Sequence, residues 1–174
     1  MAPEDLLFGD QMGCNLAMTP AFGRAPEGQR VRDTVPGQRG KNVSTMGVLA
    51  VTGMLASQVI HGSFKGDSVL AFLEEQVASK LKSGQVLILD NARIHKKNEA
   101  AMRDILSQKG CRLVFLPPYS PEWNPIENAW SKMKGLIRRA KARTHEALLA
   151  AIALAVRNVT SDDARAWFGH CGHV

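Results

Sequence analysis

The sequence lacks most of the features that mark secreted, membrane-spanning or nucleotide-binding proteins. Its three cysteines are an odd number without paired spacing, which argues against a disulfide scaffold and favours a reducing compartment. No apolar run approaches the roughly 18 residues of a membrane span, and the acidic first residues do not resemble a signal peptide. Neither the G-x-x-x-x-G-K-[ST] loop nor a strand–G-x-G-x-x-G–helix unit occurs. We therefore expect a cytoplasmic protein that does not span a membrane.

Acidic residues are fewer than basic residues in this sequence. The 174 residues contain 22 Lys and Arg against 16 Asp and Glu, which gives a formal net charge of +6. This balance favours a polyanionic partner, either a nucleic acid or a membrane surface. The length and the hydrophobic content of 45% suit one globular domain over residues 1–174.

The pattern of apolar residues predicts an α/β fold in which helices pack on a sheet. Three apolar runs predict strands: residues 6–10, 85–90 and 112–116. Alternating β-branched and aliphatic residues predict a hairpin over 44–61, and a Gly-, Pro- and Arg-rich loop precedes it over 19–42. Helical periodicity predicts five helices: residues 67–84, 95–109, 124–140, 144–159 and 160–168.

Several residues are suited to begin these helices. Asp67 and Thr144 are candidate caps, and Thr160 with Asp163 has the spacing of a capping box. Pro125 suits the first position of its helix, where a missing N–H is not needed.

Three acids stand where the predicted elements end or begin. Asp10 and Asp90 each end an apolar strand, and Glu127 lies in the first turn of a helix. If the two strands are neighbours, the carboxylates meet at one sheet edge, where α/β folds bind ligands. Carboxylates suit hard divalent cations, and two such ions roughly 3.5–4 Å apart clamp both oxygens of a phosphodiester displacement.

Other functions for these acids remain open at this point. Asp90 with Asn91 is also the pattern of an Asx turn, and Asn124 with Glu127 is close to a capping box. The spacing alone does not decide between a structural and a catalytic function.

Two longer motifs resemble a known family. The segment Ile-Leu-Asp-Asn-Ala-Arg-Ile-His at 88–95 resembles the second catalytic block of the DDE transposases. The segment Leu-Pro-Pro-Tyr-Ser-Pro-Glu-Trp-Asn-Pro-Ile-Glu at 116–127 resembles the third block of the mariner-like superfamily, in its bacterial insertion-sequence branch. Residues 24–30, 39–42 and 167–172 also resemble that branch, so the similarity extends over nearly the whole chain.

The resemblance implies an RNase H-like fold with a mixed central sheet flanked by helices. It implies a transposase catalytic domain that cleaves and transfers DNA strands, with Asp10, Asp90 and Glu127 as catalytic metal ligands. Two Mg²⁺ ions, which Mn²⁺ replaces, would assist in-line attack on phosphorus. The implied partner is DNA, both transposon ends and target, bound by a homodimer in the nucleoid.

The sequence departs from the family in two respects. Gln11 stands where this branch often has Glu after the first acid. The N-terminal helix-turn-helix region that recognises transposon ends is absent, so we expect either a partner segment from an upstream frame or a truncated remnant. Two alternatives follow: a catalytically silent DNA-binding remnant of a decayed element, and an RNase H-like nuclease that does not transpose.

Basic residues provide candidate DNA contacts. Lys134 and Arg138 follow Glu127 at seven and eleven residues and share its helix face, which favours contact with phosphates over a merely solvated surface. Arg39 and Lys41 form a second cluster to which the same alternatives apply.

Four further residues lie in or near the motifs. Asn91 and His95 either orient the second acid or contact DNA, although His95 also suits an exposed helix start. We expect Tyr119 to pack or hydrogen-bond within its Pro-rich turn rather than to stack on a flipped base, and Trp130 to lie in the core.

Overall fold

A five-stranded sheet forms the centre of the protein in a computed structural model that describes residues 1–173. Its strands in chain order are β1 (Leu6–Cys14), β2 (Val43–Ala50), β3 (Gly53–His61), β4 (Val86–Leu89) and β5 (Arg112–Phe115). They lie in the order β3-β2-β1-β4-β5. The hairpin of β2 and β3 runs antiparallel beside β1, whereas β4 and β5 are parallel to β1. The sheet is therefore mixed, as predicted.

The register of β1 places the first two acids side by side. The parallel pairing of β4 with β1 ends where Gly9 faces Leu89, so Asp10 and Asp90 are the next residues on neighbouring strands. The prediction that Asp10 ends its strand is wrong, because β2 pairs with β1 as far as Cys14. The shorter β4 leaves this part of β1 open on one side.

Six α-helices cover the two faces of the sheet. They are α1 (Gly66–Phe72), α2 (Arg93–Lys97), α3 (Glu99–Ser107), α4 (Pro125–Ala140), α5 (His145–Arg157) and α6 (Ser161–His170). Because side chains of a strand alternate between faces, Phe8 and Met12 pack with α4, α5 and α6, whereas Leu7 packs with α1 and α3. Within residues 1–173 none of the helices has the length and apolar character needed to cross a membrane.

The helix starts follow the sequence in three of four places. Thr144 Oγ1 accepts the Ala147 N–H, and Thr160 forms a reciprocal capping box with Asp163, which confirms both predictions. Helix α4 begins at Pro125, also as predicted. Asp67 is not the cap of α1, however. Lys65 holds that position, and its N–H donates to Ser68 Oγ at 2.8 Å.

Two predicted helices are shorter or broken. The segment that starts with α1 continues only as a π turn and a 3₁₀ turn that ends at Lys80, not at residue 84. The helix predicted over residues 95–109 is divided into α2 and α3 at Asn98. The Asn98 side-chain amide donates to the Ile94 carbonyl at 2.8 Å, and this is the carbonyl that the Asn98 backbone N–H would use in a continuous helix.

The loop between β1 and β2 lies against the turn between α4 and α5. Its Asp33 forms an ion pair with Lys141 at 2.6 Å, and Arg143 donates to the Thr34 carbonyl at 3.3 Å. The predicted loop over residues 19–42 is confirmed by the absence of strand or helix in that segment. These contacts hold the loop on the same side of the protein as the C-terminal half of α4.

Candidate active site

Asp10 is a buried carboxylate on the face of the sheet that α4 covers. Its side chain is 9% exposed, and the Trp130 indole Nε1–H donates to its Oδ2 at 3.0 Å. Gly47 faces Asp10 in the register of β2. A Cβ at Gly47 would lie 2.7 Å from the indole ring, so glycine is needed for Trp130 to reach the acid.

Burial and neighbouring charge make Asp10 hard to ionise. The pKa of Asp10 is raised to about 7. Desolvation by burial is the largest cause, and the charges of Glu127 and Asp90 also contribute. Hydrogen bonds from the Gln11 backbone and from Trp130 act in the opposite direction. The electrostatic contributions of Glu127 and Asp90 mean that all three acids face one region.

Asp90 is fixed by one oxygen and open at the other. Its Oδ1 accepts hydrogen bonds from the Ala92 N–H at 3.1 Å and from His95 Nδ1 at 2.7 Å. The Asx turn that the sequence suggested is therefore present, yet it leaves Oδ2 without a hydrogen-bond partner in the described part of the chain. The His95 bond is the main cause that lowers the pKa of Asp90, and the side chain is 44% exposed. A charged oxygen thus remains available to a ligand.

His95 lies inside the protein beneath Asp90. It is 1% exposed, so the prediction that it contacts DNA and the alternative of an exposed helix start are both wrong. Its Nδ1–H donates to Asp90, which leaves Nε2 as the acceptor for the Gln11 side-chain amide at 3.4 Å. Gln11 follows Asp10 in β1, so its side chain points to the opposite face of the sheet, where it contacts the imidazole that holds Asp90.

Glu127 lies in the first turn of α4 and is exposed. The Asn124 side chain makes no capping hydrogen bond, so the capping box that Glu127 would complete is not formed. Glu127 lines a cleft of about 380 Å³ together with Asp90 and Asn91, and the Pro-rich segment 117–121 forms another wall. The Glu127 carboxylate is thus directed to the same opening as Asp90.

The chemistry of these donors fits a hard divalent cation. All three side chains offer oxygen, and the mutual repulsion that raises the pKa of Asp10 is relieved by a positive ion near it. Among residues 1–173, no three His, Cys, Asp or Glu side chains are grouped as closely as the ligands of one ion. The acids therefore share a region and an electrostatic field without forming a closed ligand cage.

The sequence of the whole region matches a known family. Residues 5–149 match the family model described as DDE superfamily endonuclease. The chain belongs to this family.

Solved structures and a curated protein are also similar to the chain. The chain of a Mos1 transposase paired-end complex with left transposon end superposes with a TM-score of 0.77 at 14% identity, over 97% of this chain and 52% of that one. The catalytic domain of Mos1 mariner transposase gives 0.68 at 13% identity, over 97% and 78%. An uncharacterized protein, y4pE/y4sA, of Sinorhizobium fredii (strain NBRC 101917 / NGR234) is 45% identical over 49 residues, 28% of this chain and 33% of its own length.

The structural matches confirm the predicted RNase H-like fold of this DDE endonuclease chain. A simian T-cell lymphotropic virus intasome chain shares the fold more distantly, with a TM-score of 0.54 at 12% identity over 87% of this chain and 48% of that one. The DDE endonuclease chain spans about half the length of the Mos1 transposase chain in the paired-end complex and a third of the curated relative.

Four of the predicted DNA contacts lie on the exterior of the DDE endonuclease chain. Lys134 and Arg138 on α4 lower the pKa of the Cys14 thiol against the larger, raising effect of its burial, which places both cations beside the end of β1. Arg39 and Lys41 are exposed in the loop that is held against the α4–α5 turn. The two basic clusters therefore lie on the same side of the molecule.

Asn91 has a structural contact instead of a free side chain. Its Nδ2–H donates to the Leu116 carbonyl and links the ends of β4 and β5, where both line the cleft.

Tyr119 is exposed to solvent, although its sequence context predicts that it packs or hydrogen-bonds. It is 101% exposed, so the expectation that it packs in its turn is wrong.

Sequence reasoning missed three residues that support the acids. Trp130 was predicted as core, which its 1% exposure confirms, but its hydrogen bond to Asp10 was not foreseen. The signal was available, because Trp130 follows Glu127 by three residues on the same helix face. Gly47 and Gln11 carried no comparable signal, since their functions depend on strand register and on the burial of His95.

Proposed function

We propose that this DDE endonuclease chain is the catalytic domain of a transposase that cleaves and joins DNA strands with the help of two divalent cations. The observation that carries the proposal is the placement of Asp10 and Asp90 directly after the paired residues of neighbouring strands, with Glu127 and Asp90 on the walls of one cleft. Mg²⁺ or Mn²⁺ ions bound there would activate the attacking hydroxyl and neutralise the leaving oxygen of an in-line displacement.

Each acid has its own local support for this function. Asp90 keeps Oδ2 free while the Ala92 N–H and His95 hold Oδ1 in place. Asp10 releases its proton when positive charge offsets burial and the two neighbouring carboxylates, and Trp130 then holds its Oδ2. Glu127 approaches from α4, so the distance between the helix and the sheet sets the opening of the site.

DNA is the partner that the charge distribution favours. Lys134 and Arg138 follow Glu127 along α4, and Arg39 with Lys41 extends the positive surface across the neighbouring loop. Phosphates of a strand that passes the carboxylates would contact these cations. Proteins of the same fold are described as a paired-end complex with left transposon end and as a strand transfer complex, which supports DNA as the partner. A homodimer on DNA, an additional end-recognition segment and a location at the nucleoid are further parts of this proposal.

Removal of divalent cations tests the activity. We expect the wild-type chain to nick supercoiled plasmid in Mg²⁺ or Mn²⁺ and to stop in EDTA, because three carboxylates without cations repel the scissile phosphate. Gel separation of supercoiled and open-circular DNA measures the rate. The matched control is Asp104→Asn, which removes an exposed carboxylate on α3 far from the cleft and leaves nicking unchanged.

The result also separates the alternatives. DNA binding without nicking in either cation, by the chain alone and after addition of an end-recognition segment, would identify a silent DNA-binding remnant. Nicking without any joining of a labelled 3′-OH end to a second DNA would identify a nuclease that does not transpose.

His95 is predicted to be a positioning residue for Asp90. We expect His95→Ala to weaken Mn²⁺ binding and nicking about tenfold or more, because Asp90 loses a charge-assisted hydrogen bond. His95→Asn retains an N–H donor near the position of Nδ1, so this variant keeps most of the Mn²⁺ binding and most of the nicking. The amide of His95→Gln extends further, so this variant loses both. Calorimetric titration with Mn²⁺ measures the affinity, and equal losses in the Asn and Gln variants would contradict the prediction.

A further inference from the structure

Tyr119 stands alone on the wall of the cleft. It is the only tyrosine in the sequence, and its side chain is fully exposed although it lines the same opening as Asp90 and Glu127. Solvent exposure of an entire aromatic ring is unfavourable in an isolated protein. The ring therefore has a position that packing within residues 1–173 does not explain.

The backbone at Tyr119 has an unusual conformation. Tyr119 has φ of 57°, one of two non-glycine residues among the described ones with a left-handed backbone. Bulky residues rarely adopt this conformation, and such outliers cluster at functional sites. Pro117, Pro118 and Pro121 fix φ on both sides of it. These prolines restrict the backbone of the loop, which limits the entropy lost on binding.

The surroundings of the ring select one kind of ligand. Leu116 and three prolines make this wall of the cleft largely apolar, while the basic residues that suit phosphates lie on α4 and in the loop beyond β1. An exposed aromatic ring on an apolar wall is a surface on which nucleic-acid bases stack.

We propose that Tyr119 stacks on a nucleobase next to the phosphate held at the carboxylates, and so fixes the DNA strand in the cleft. The inference rests on the proposed function and adds a base-binding subsite to it. The phenol ring supplies the contact, and the hydroxyl is dispensable. Stacking reads the face of a base and not its edge, so the subsite tolerates different bases.

A cycle of protein and DNA changes tests the subsite. Fluorescence anisotropy in the non-cleaving Asp90→Asn background measures binding to a nicked duplex with a single-stranded overhang, and one abasic site is moved through each position near the nick. We expect Tyr119→Ala to weaken binding to intact DNA between about 5- and 150-fold, the effect of one lost stacked base. Tyr119→Phe binds like the parent protein. When the abasic site removes the base that stacks on Tyr119, Tyr119→Ala no longer weakens binding.

The control is Trp123→Ala, which removes the other exposed aromatic ring of the same segment, one that does not line the cleft. This variant shows no dependence on abasic position. Parent-like binding by Tyr119→Ala, or an equal loss of binding at every abasic position, overturns the stacking proposal. Nicking by the wild-type chain supports the proposed function in either case. Failure of the parent protein to bind DNA overturns both. Because the Tyr119 side chain is fully exposed, its truncation does not compromise folding.

Discussion

The Asp90→Asn variant loses metal-dependent nicking by about 10³-fold or more and keeps its wild-type melting temperature. A loss of this size corresponds to about 4 kcal/mol of transition-state stabilisation. Asparagine retains an Oδ1 that accepts the hydrogen bonds from Ala92 and His95, so the Asx turn and the buried imidazole keep their partner. The substitution removes the negative charge that the two carboxylate oxygens share, and it keeps the hydrogen bonds from Ala92 and His95 as neutral ones. Plasmid nicking and thermal unfolding are measured on the same preparation.

Asp90→Ala gives the same loss of cleavage with an added structural effect. His95 is buried, so its Nδ1–H remains without an acceptor, which costs about 1–3 kcal/mol of folding free energy. The Asp104→Asn control retains both activity and stability. Cleavage by Asp90→Asn at a rate near that of the wild type would remove Asp90 from the catalytic residues and refute the proposed mechanism.

The metal-free protein becomes less stable as pH rises, and Asp10→Asn removes most of this dependence. The folded state raises the pKa of Asp10 from the usual 3.8 to about 7, so between these values the folded state binds more protons than the unfolded one. Stability is therefore fully present below about pH 4 and is lost as pH rises through 7. Between these two pKa values the free energy of unfolding falls by about 4 kcal/mol, at about 1.4 kcal/mol for each pH unit.

Chemical denaturation in EDTA at pH 5 and pH 8 covers about two of these pH units, so the expected difference in the free energy of unfolding is about 3 kcal/mol. Asparagine carries no charge and still accepts the indole N–H, so the variant is expected to be more stable than wild type at pH 8. Addition of Mg²⁺ at pH 8 should stabilise the wild type and have little effect on Asp10→Asn, since a cation that binds only the folded state adds to its stability. A variant that retains the full wild-type pH dependence would show that another group causes it.

Strands and helix caps were predictable because their signals are local. The run from Val86 to Leu89 is buried on both faces, and this burial requires continuous apolar residues. Thr144 and Thr160 make their capping bonds within three residues. The end of β1 was not predictable in this way, because Gln11 and Gly13 interrupt its apolar pattern and only the partner strand β2 keeps it extended.

The acids were identified by motif, whereas their supports depend on tertiary contacts. The sequence names Asp10 but does not indicate that Gly47 faces it across the hairpin, since register is set by pairing. The break between α2 and α3 at Asn98 likewise depends on whether the backbone N–H or the side-chain amide of Asn98 donates to the Ile94 carbonyl. Exposure of Tyr119 could not be inferred either, because prolines mark a turn without fixing which way its side chains face.

The hydrogen bond between Trp130 and Asp10 joins residues 120 positions apart. During translation β1 leaves the ribosome early, whereas Trp130 and Glu127 follow only after most of the sheet has been synthesised. A nascent chain that carries Asp10 alone has neither the indole donor nor the third carboxylate. Under the proposed function, the site is therefore complete only after α4 has been synthesised, and any product that stops before α4 lacks both the indole donor and the third carboxylate.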